Sequence, residues 1–382
     1  MTPAAFRTHF PIFPATAHLC SCSEGALSDR VMVAMSEFMT SWRVHAAPWQ
    51  YWMEEVDRAR ALFAALIHAD ADEIAVVSCA SEGAFQAAWS LDYQARPRIL
   101  TNDLEFPSIA HVWLAQEGRG AAVDFIPHQE GLVDPQAYRA RLDADVSLVS
   151  VPLVSYANGM RLPVTEIARE AHRQGARVFV DAYQGVGVMP VDVRELDCDY
   201  LVAGTLKYLL GSPGLAFLYA REAAAAPRDP ILTGWFARQE PFAFNPRRLD
   251  YAVDARRYQT GTPAIPAAFA GRAGLDLINE TDTPSVFAHV QDLAGRLQDR
   301  LLGEGFALFS PTDPAFRGPQ VTVRVDDAEA CAAFLTDRHV IVSPRGQAVR
   351  VSLHYYNNAD DLDRVAEGLL AYRQTRSPIG RA

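Results

Sequence analysis

Between residues 74 and 219 the chain alternates short apolar runs with longer amphipathic stretches. The runs at 74–78, 98–101, 123–126, 146–152, 178–180, 200–203 and 215–219 predict strands. They are continuous rather than alternating, which suits strands buried on both faces of a parallel or mixed sheet. Among the stretches between them, the turn at Cys79 to Gly83 opens a helix to about residue 91, and 165–174 is amphipathic and helical. Earlier in the chain, Ser28 is placed to cap a helix in which Val31, Met35, Phe38 and Trp42 recur at helical spacing and should face the core. His45-Ala-Ala-Pro-Trp49 breaks it, and a further helix at about 53–67 buries Val56, Phe63 and Ile67. Beyond Ala264 the pattern changes to helices at 264–279 and 284–303, then strands at 320–325, 340–343 and 349–353. Helices at 328–336 and 360–372 are interleaved with them. Residues 1–18 read as an extended arm, and the tail from Thr375 as frayed.

This order predicts an α/β fold. A large domain over 19–262 holds a mainly parallel mixed sheet flanked by helices, and a small α/β domain follows over 263–382. The arm is expected to pack with the small domain.

Composition narrows the function. The 382 residues are 49% hydrophobic and 21% charged, as in an ordinary soluble globular protein. A net charge of −11 disfavours nucleic acid or an anionic membrane as partner. No stretch is apolar for long enough to cross a bilayer. The opening MTPAAFRTHFPIFP lacks a basic segment followed by an apolar core, so no secretion signal is expected. The five cysteines (20, 22, 79, 198, 331) lack metal-ligand spacing, and reduced thiols in a cytoplasm are the expectation. No G-x-G-x-x-G opens a strand–turn–helix unit, so a nicotinamide cofactor has no support.

Two charged residues close strands in the middle of the sheet. Asp181 ends the run Val178-Phe-Val180, and Lys207 follows the run at 200–203. Ligands of such sheets bind beyond strand ends, so both residues can face one ligand. The pair suits pyridoxal phosphate: a lysine amine holds the aldehyde as a Schiff base, and a carboxylate keeps the pyridine nitrogen protonated. The wording around them is more specific. Asp181-Ala-Tyr-Gln184, then Lys207-Tyr-Leu-Leu-Gly-Ser-Pro-Gly214, resembles the class V aminotransferase family, which includes cysteine desulfurases, kynureninases and isopenicillin N epimerase. The resemblance runs from about Leu19 to Asp363.

The resemblance implies a fold type I pyridoxal 5'-phosphate enzyme working as a homodimer, with sites at the subunit interface. It implies that Lys207 carries the cofactor and then acts as base, and that Asp181 faces the ring nitrogen. Phe106 stacks on the ring, Gln184 donates to the ring oxygen, and Tyr156 stands near that oxygen. The turn Ala80-Ser81-Glu82, at a helix start, holds the phosphate. Where desulfurases have Ser-x-His before the lysine, this chain has Gly204-Thr205-Leu206. Thr205 offers a hydroxyl there, but Leu206 replaces no imidazole. Trp235, in Thr-Gly-Trp-Phe, is similar to a kynureninase tryptophan whose indole reaches the phosphate. Thr262, in Arg257-Tyr-Gln-Thr-Gly-Thr262, corresponds to a threonine that reaches the neighbouring subunit's phosphate. Arg350 grips the substrate carboxylate, with Arg345 as a secondary candidate. Trp49 and Trp52 are either core or part of the substrate wall.

The implied chemistry is attack on an amino acid through an external aldimine and a Cα carbanion, most readily as a class V aminotransferase. Kynureninase-type hydrolysis, epimerisation or racemisation, and C–S lysis stay open, as does a cofactor-binding module without turnover. The persulfide route of desulfurases is disfavoured, because the loop 342–349 carries no cysteine.

Overall fold

The structure is a computed structural model that describes residues 1–221, 226 and 228–376. The arm is not extended. Thr2 caps a short helix, α1 (Pro3–Arg7), with proline in its first turn, where no amide hydrogen is missed. Phe6 and Phe10 then bury against Tyr356, at ring-centroid distances of 6.2 and 4.8 Å. A two-residue strand, β1 (Ala17–His18), follows. Ser28 accepts the Val31 amide and starts α2 (Asp29–His45). Val31, Ala34, Phe38 and Ser41 form its buried stripe. Trp42 continues that periodicity but lies 60% exposed, beyond the surface that covers the rest of the stripe. The second helix, α3 (Trp49–Leu66), begins four residues before the expected start.

The central layer comes next. Strand β2 (Ile74–Val77) leads to α4 (Ala80–Trp89), β3 (Arg98–Asn102) to α5 (Pro107–Leu114), and β4 (Ala122–Ile126) to α6 (Pro135–Arg141). Strand β5 (Val146–Pro152) leads to α7 (Val164–Arg173), β6 (Arg177–Asp181) to α8 (Val193–Leu196), and β7 (Tyr200–Gly204) to β8 (Ala216–Ala220). These strands make a seven-stranded sheet among the described residues, in the order β2-β8-β7-β6-β5-β3-β4. Only β8 runs against the others, pairing antiparallel with β2 and β7. Successive side chains point to opposite faces. Phe179, Tyr200 and Val202 therefore pack under α4 and α5, while Val178, Val180, Leu201 and Ala203 pack with α3 and α7. Burial on both faces explains the continuous apolar runs in the sequence.

Helix α9 (Ile265–Asn279) departs from the expected division at 263. It packs on α2 and α3, and Phe269 and Leu275 join the core of the large layer. Its glycines allow this. A Cβ on Gly274 would lie 2.3 Å from the Leu209 carbonyl oxygen, and one on Gly271 would lie 2.5 Å from Leu215. The helix thus rests directly on the loop after Lys207. The second core begins on α10 (Thr283–Gly303). It is completed by β9 (Gln320–Arg324), α11 (Ala328–Thr336), β10 (Val340–Ile341), β11 (Ser343–Arg345), β12 (Ala348–Ser352) and α12 (Ala359–Arg376). β11, β12 and β9 form an antiparallel sheet, and β10 pairs in parallel with β1. The arm thus bridges both cores: Phe6 belongs to the first and Ala17 to the second. Thr375 is helical, and the remaining tail, 377–382, lies outside the described residues.

Candidate active site

Parallel strands end on one side of the sheet, and the candidate residues come from those ends. Asp181 is the last residue of β6 and pairs in register with Val202 of the neighbouring β7. Lys207 follows β7 by three residues, Phe106 follows β3 by four, Tyr156 follows β5 by four, and the Cys79–Ser81 turn follows β2. Topology alone therefore brings five distant segments together. They line one open cavity of about 210 Å³. Its walls include Ala80, Ser81, Phe106, Tyr156, Asp181, Gln184 and Lys207, together with Cys79, Tyr183 and Leu206.

The electrostatics of the cavity are unusual. Burial pushes the Lys207 amine down from 10.5 to about 8, against the attraction of Asp181. Its Nζ lies 4.3 Å from the Tyr183 ring centroid and 5.2 Å from that of Phe106. Burial also raises the Asp181 carboxyl, which the Tyr183 amide, donating at 3.0 Å, and Lys207 partly offset. Phe106 stands edge-on to Tyr156, with centroids 5.1 Å apart. Behind Asp181 a second carboxyl, Glu105, is buried. It accepts from Ser150 Oγ at 2.7 Å and from the Phe106 amide at 2.9 Å, so it holds the segment that carries the Phe106 ring. Burial, then Asp181, raises Glu105 well above the usual carboxylate range.

Arg350 lies at the edge of this site, on β12, and is 1% exposed. It donates to the Tyr156 carbonyl oxygen at 2.9 Å, to Ser23 Oγ at 3.0 Å and to Ser343 Oγ at 2.5 Å. Its Nε has no partner, and no carboxylate pairs with it among the described residues. A buried guanidinium without a counter-ion is costly, so an anion that docks here is strongly held. Arg350 and Arg345 both contribute to lowering the Lys207 amine, which places their charge near it. Arg345 itself is exposed.

Other expected contacts are not made among the described residues. The Thr205 hydroxyl faces away from the cavity and donates to the carbonyls of Ser212 at 2.7 Å and Leu215 at 3.2 Å. Trp235 packs among Trp49, Phe236, Phe242 and Phe244 rather than on the cavity wall. Trp52 is core: its indole donates to Ser41 Oγ at 3.0 Å. Thr262 is exposed and outside the cavity. Gln184 uses an amide hydrogen on the Cys22 carbonyl oxygen at 3.0 Å, and its buried Oε1 has no partner. Sequence reasoning missed Tyr183, Glu105, Ser23 and Ser343. Glu105 and Tyr183 each adjoin a residue it did single out, but adjacency says nothing about which way a side chain points.

A profile of the aminotransferase class-V family matches residues 24–365. The chain belongs to the class V aminotransferase family. It is 32% identical to an uncharacterized aminotransferase, YcbU, of Bacillus subtilis, over 97% of this chain and 98% of that protein. It is 29% identical to a kynureninase of Deinococcus radiodurans, over 88% of this chain and 84% of that one. The solved structure of an apo cysteine desulfurase from Thermococcus onnurineus shares the fold, with a TM-score of 0.88 and 22% identity over 98% of this chain and 99% of that one. The fold is therefore that of the type I pyridoxal phosphate enzymes, as expected. The cavity fits the cofactor. Asp181 is a buried carboxylate with a single backbone donor, and the first turn of α4 supplies free amides for a phosphate.

Proposed function

We propose that the protein is a pyridoxal 5'-phosphate enzyme of the aminotransferase type that acts on an amino acid. The observation that carries the reading is a lysine amine, depressed toward neutral pH, sharing one cavity with a buried carboxylate. The cofactor supplies an aldehyde that takes up an amine and a ring that accepts an electron pair. Lys207 would hold the aldehyde and, once freed by the substrate amine, would serve as the base for the α-proton; burial already depresses its amine in the empty cavity. Asp181 would face the ring nitrogen and keep it protonated, which would pair its buried charge. Phe106 would cover the ring, and the amides of Ala80 and Ser81 would hold the phosphate. Arg350 binds the substrate carboxylate, and its three oxygen partners fix its fork in advance.

A second copy of the chain covers the site. Trp42, Val44, Trp49, Phe242, Phe244 and Val253 are exposed apolar residues, and Thr262 is free to reach a neighbour's cavity. Sedimentation of the purified protein as a monomer would defeat this dimer. Among the described residues no helix is long and apolar enough to cross a membrane, and the described cysteines are all free thiols, which fits a reducing cytoplasm.

Kynureninase-type hydrolysis is the second reading, favoured by Phe106 and Tyr156 meeting on the cavity wall. Holoenzyme incubated with single amino acids, L-kynurenine among them, separates the two. A keto acid with pyridoxamine phosphate supports transamination; anthranilate supports hydrolysis. Borohydride followed by peptide mapping that places the cofactor on any residue other than Lys207 would remove the basis of both.

A further inference from the structure

On the β7 side, the phosphate end of the cavity has no free hydroxyl. Gly204 carries no side chain, and the Thr205 hydroxyl is engaged by two backbone carbonyls. We propose that the Tyr183 phenol fills this gap and donates a hydrogen bond to the cofactor phosphate. The proposal deepens the reading above and rests on it, since there the phosphate lies at the start of α4.

Three observations carry it. First, Tyr183 lines the cavity together with Cys79, Ala80 and Ser81 of the α4 turn. The Cys79 thiol is close enough to help push the phenol up to about 12, an effect due first to burial and then to Asp181. Second, the phenol lies over Gly204. A Cβ there would be 2.2 Å from the Tyr183 oxygen and 2.3 Å from its Cζ. Any side chain at 204 would therefore displace the ring, so a serine there and the Tyr183 phenol could not share the space. The tyrosine and the glycine are one paired solution: the hydroxyl arrives from β6 because β7 does not provide it. Third, the phenol hydrogen is unclaimed: among the described residues nothing accepts it, so that proton is available to an acceptor in the cavity. A dianionic phosphate at the neighbouring helix start is such an acceptor. Lys207 Nζ, 4.3 Å from the ring centroid, meets the ring face and not the hydroxyl.

The test compares two ligands that differ only in the phosphate. Apoprotein is titrated with pyridoxal phosphate and with pyridoxal, and the visible absorbance of the bound ligand is read. Tyr183→Phe is expected to raise the Kd for pyridoxal phosphate about tenfold and to leave that for pyridoxal unchanged. An unchanged Kd for pyridoxal phosphate, or equal losses for both ligands, would overturn the proposal. In the double variant Tyr183→Ala with Gly204→Ser, the hydroxyl returns from β7, and affinity for pyridoxal phosphate is expected within about threefold of the parent. A double variant that keeps its far-UV circular dichroism and melting temperature yet binds as weakly as Tyr183→Phe would also overturn it. If unmodified protein developed no absorbance with either ligand, the cofactor reading itself would fail, a result distinct from these.

Discussion

The two ends of the site each bury one cation, and they handle it in opposite ways. Lys207, from the large layer, is given no hydrogen-bond acceptor for its ammonium among the described residues; it faces aromatic rings, and its amine falls to about 8. Arg350, from the small domain, is buried more deeply, yet three oxygens hold its guanidinium. Arginine does not lose its proton in a protein, so its burial has to be met by acceptors and by an incoming anion. Lysine can answer the same burial by shedding its proton. One cation is thus prepared to react, the other to bind. The choice of residue type at each end follows from what each has to do with its charge.

The comparison breaks most severely at the reactive end. Lys207→Ala is expected to lower turnover by about 10⁴-fold or more and to abolish the borohydride-fixed adduct, measured by steady-state kinetics and mass spectrometry. At the binding end, Arg350→Ala is expected to cost about 10³-fold in kcat/KM for an amino acid. An amine substrate without a carboxylate should show almost no loss, and equal losses on both substrates would deny Arg350 its role.

A smaller effect tests how the ends are joined. His354, next to the closing strand, is buried and accepts the Tyr355 amide, so its Nε2 donates to the Tyr208 carbonyl, one residue after Lys207. Burial lowers His354 and His18 from 6.5 to about 4. An imidazole with a depressed folded value binds protons more readily when unfolded. Stability is therefore full above pH 6.5 and declines as pH falls toward 4, by up to about 3 kcal/mol for each histidine. Urea unfolding at pH 7 and pH 4.5 measures it, and His354→Asn should flatten the slope. The smallest effect separates two hydroxyls. Thr205→Val should cost about 1 kcal/mol of stability and leave cofactor affinity unchanged, whereas Tyr183→Phe should do the reverse.

Much of the fold was legible because the strands are buried on both faces, and continuous apolar runs mark such strands wherever they pair. The helices α5 and α6 were missed, since each is too brief for its periodicity to register. The arm was misread as extended because five helical residues carry too little periodicity to register. α9 was assigned to the wrong core: its apolar pattern announces burial but not the neighbour, and Gly271 and Gly274 reveal that neighbour only once Leu209 and Leu215 are in place. Of the candidate residues, Asp181 and Lys207, singled out from strand ends, and Phe106, singled out from family wording, line one cavity, and their roles rest on the proposed function. Thr205 and Trp235 do not line it, for they sit in the right words with side chains turned elsewhere.

By itself, then, the chain determined its strands, its family and which cation and carboxylate close the central strands, because those depend on local residue type and spacing. Tertiary structure decided that Tyr183 lines the cavity while the Thr205 hydroxyl is engaged elsewhere, where one core stops and the next begins, and that Arg350 lies buried with no carboxylate partner among the described residues. The physical reason is reach. A hydrogen bond or a buried charge depends on atoms a few ångströms away, and Ser23, Tyr156, Ser343 and Arg350 meet only after more than three hundred residues of chain have folded back on themselves.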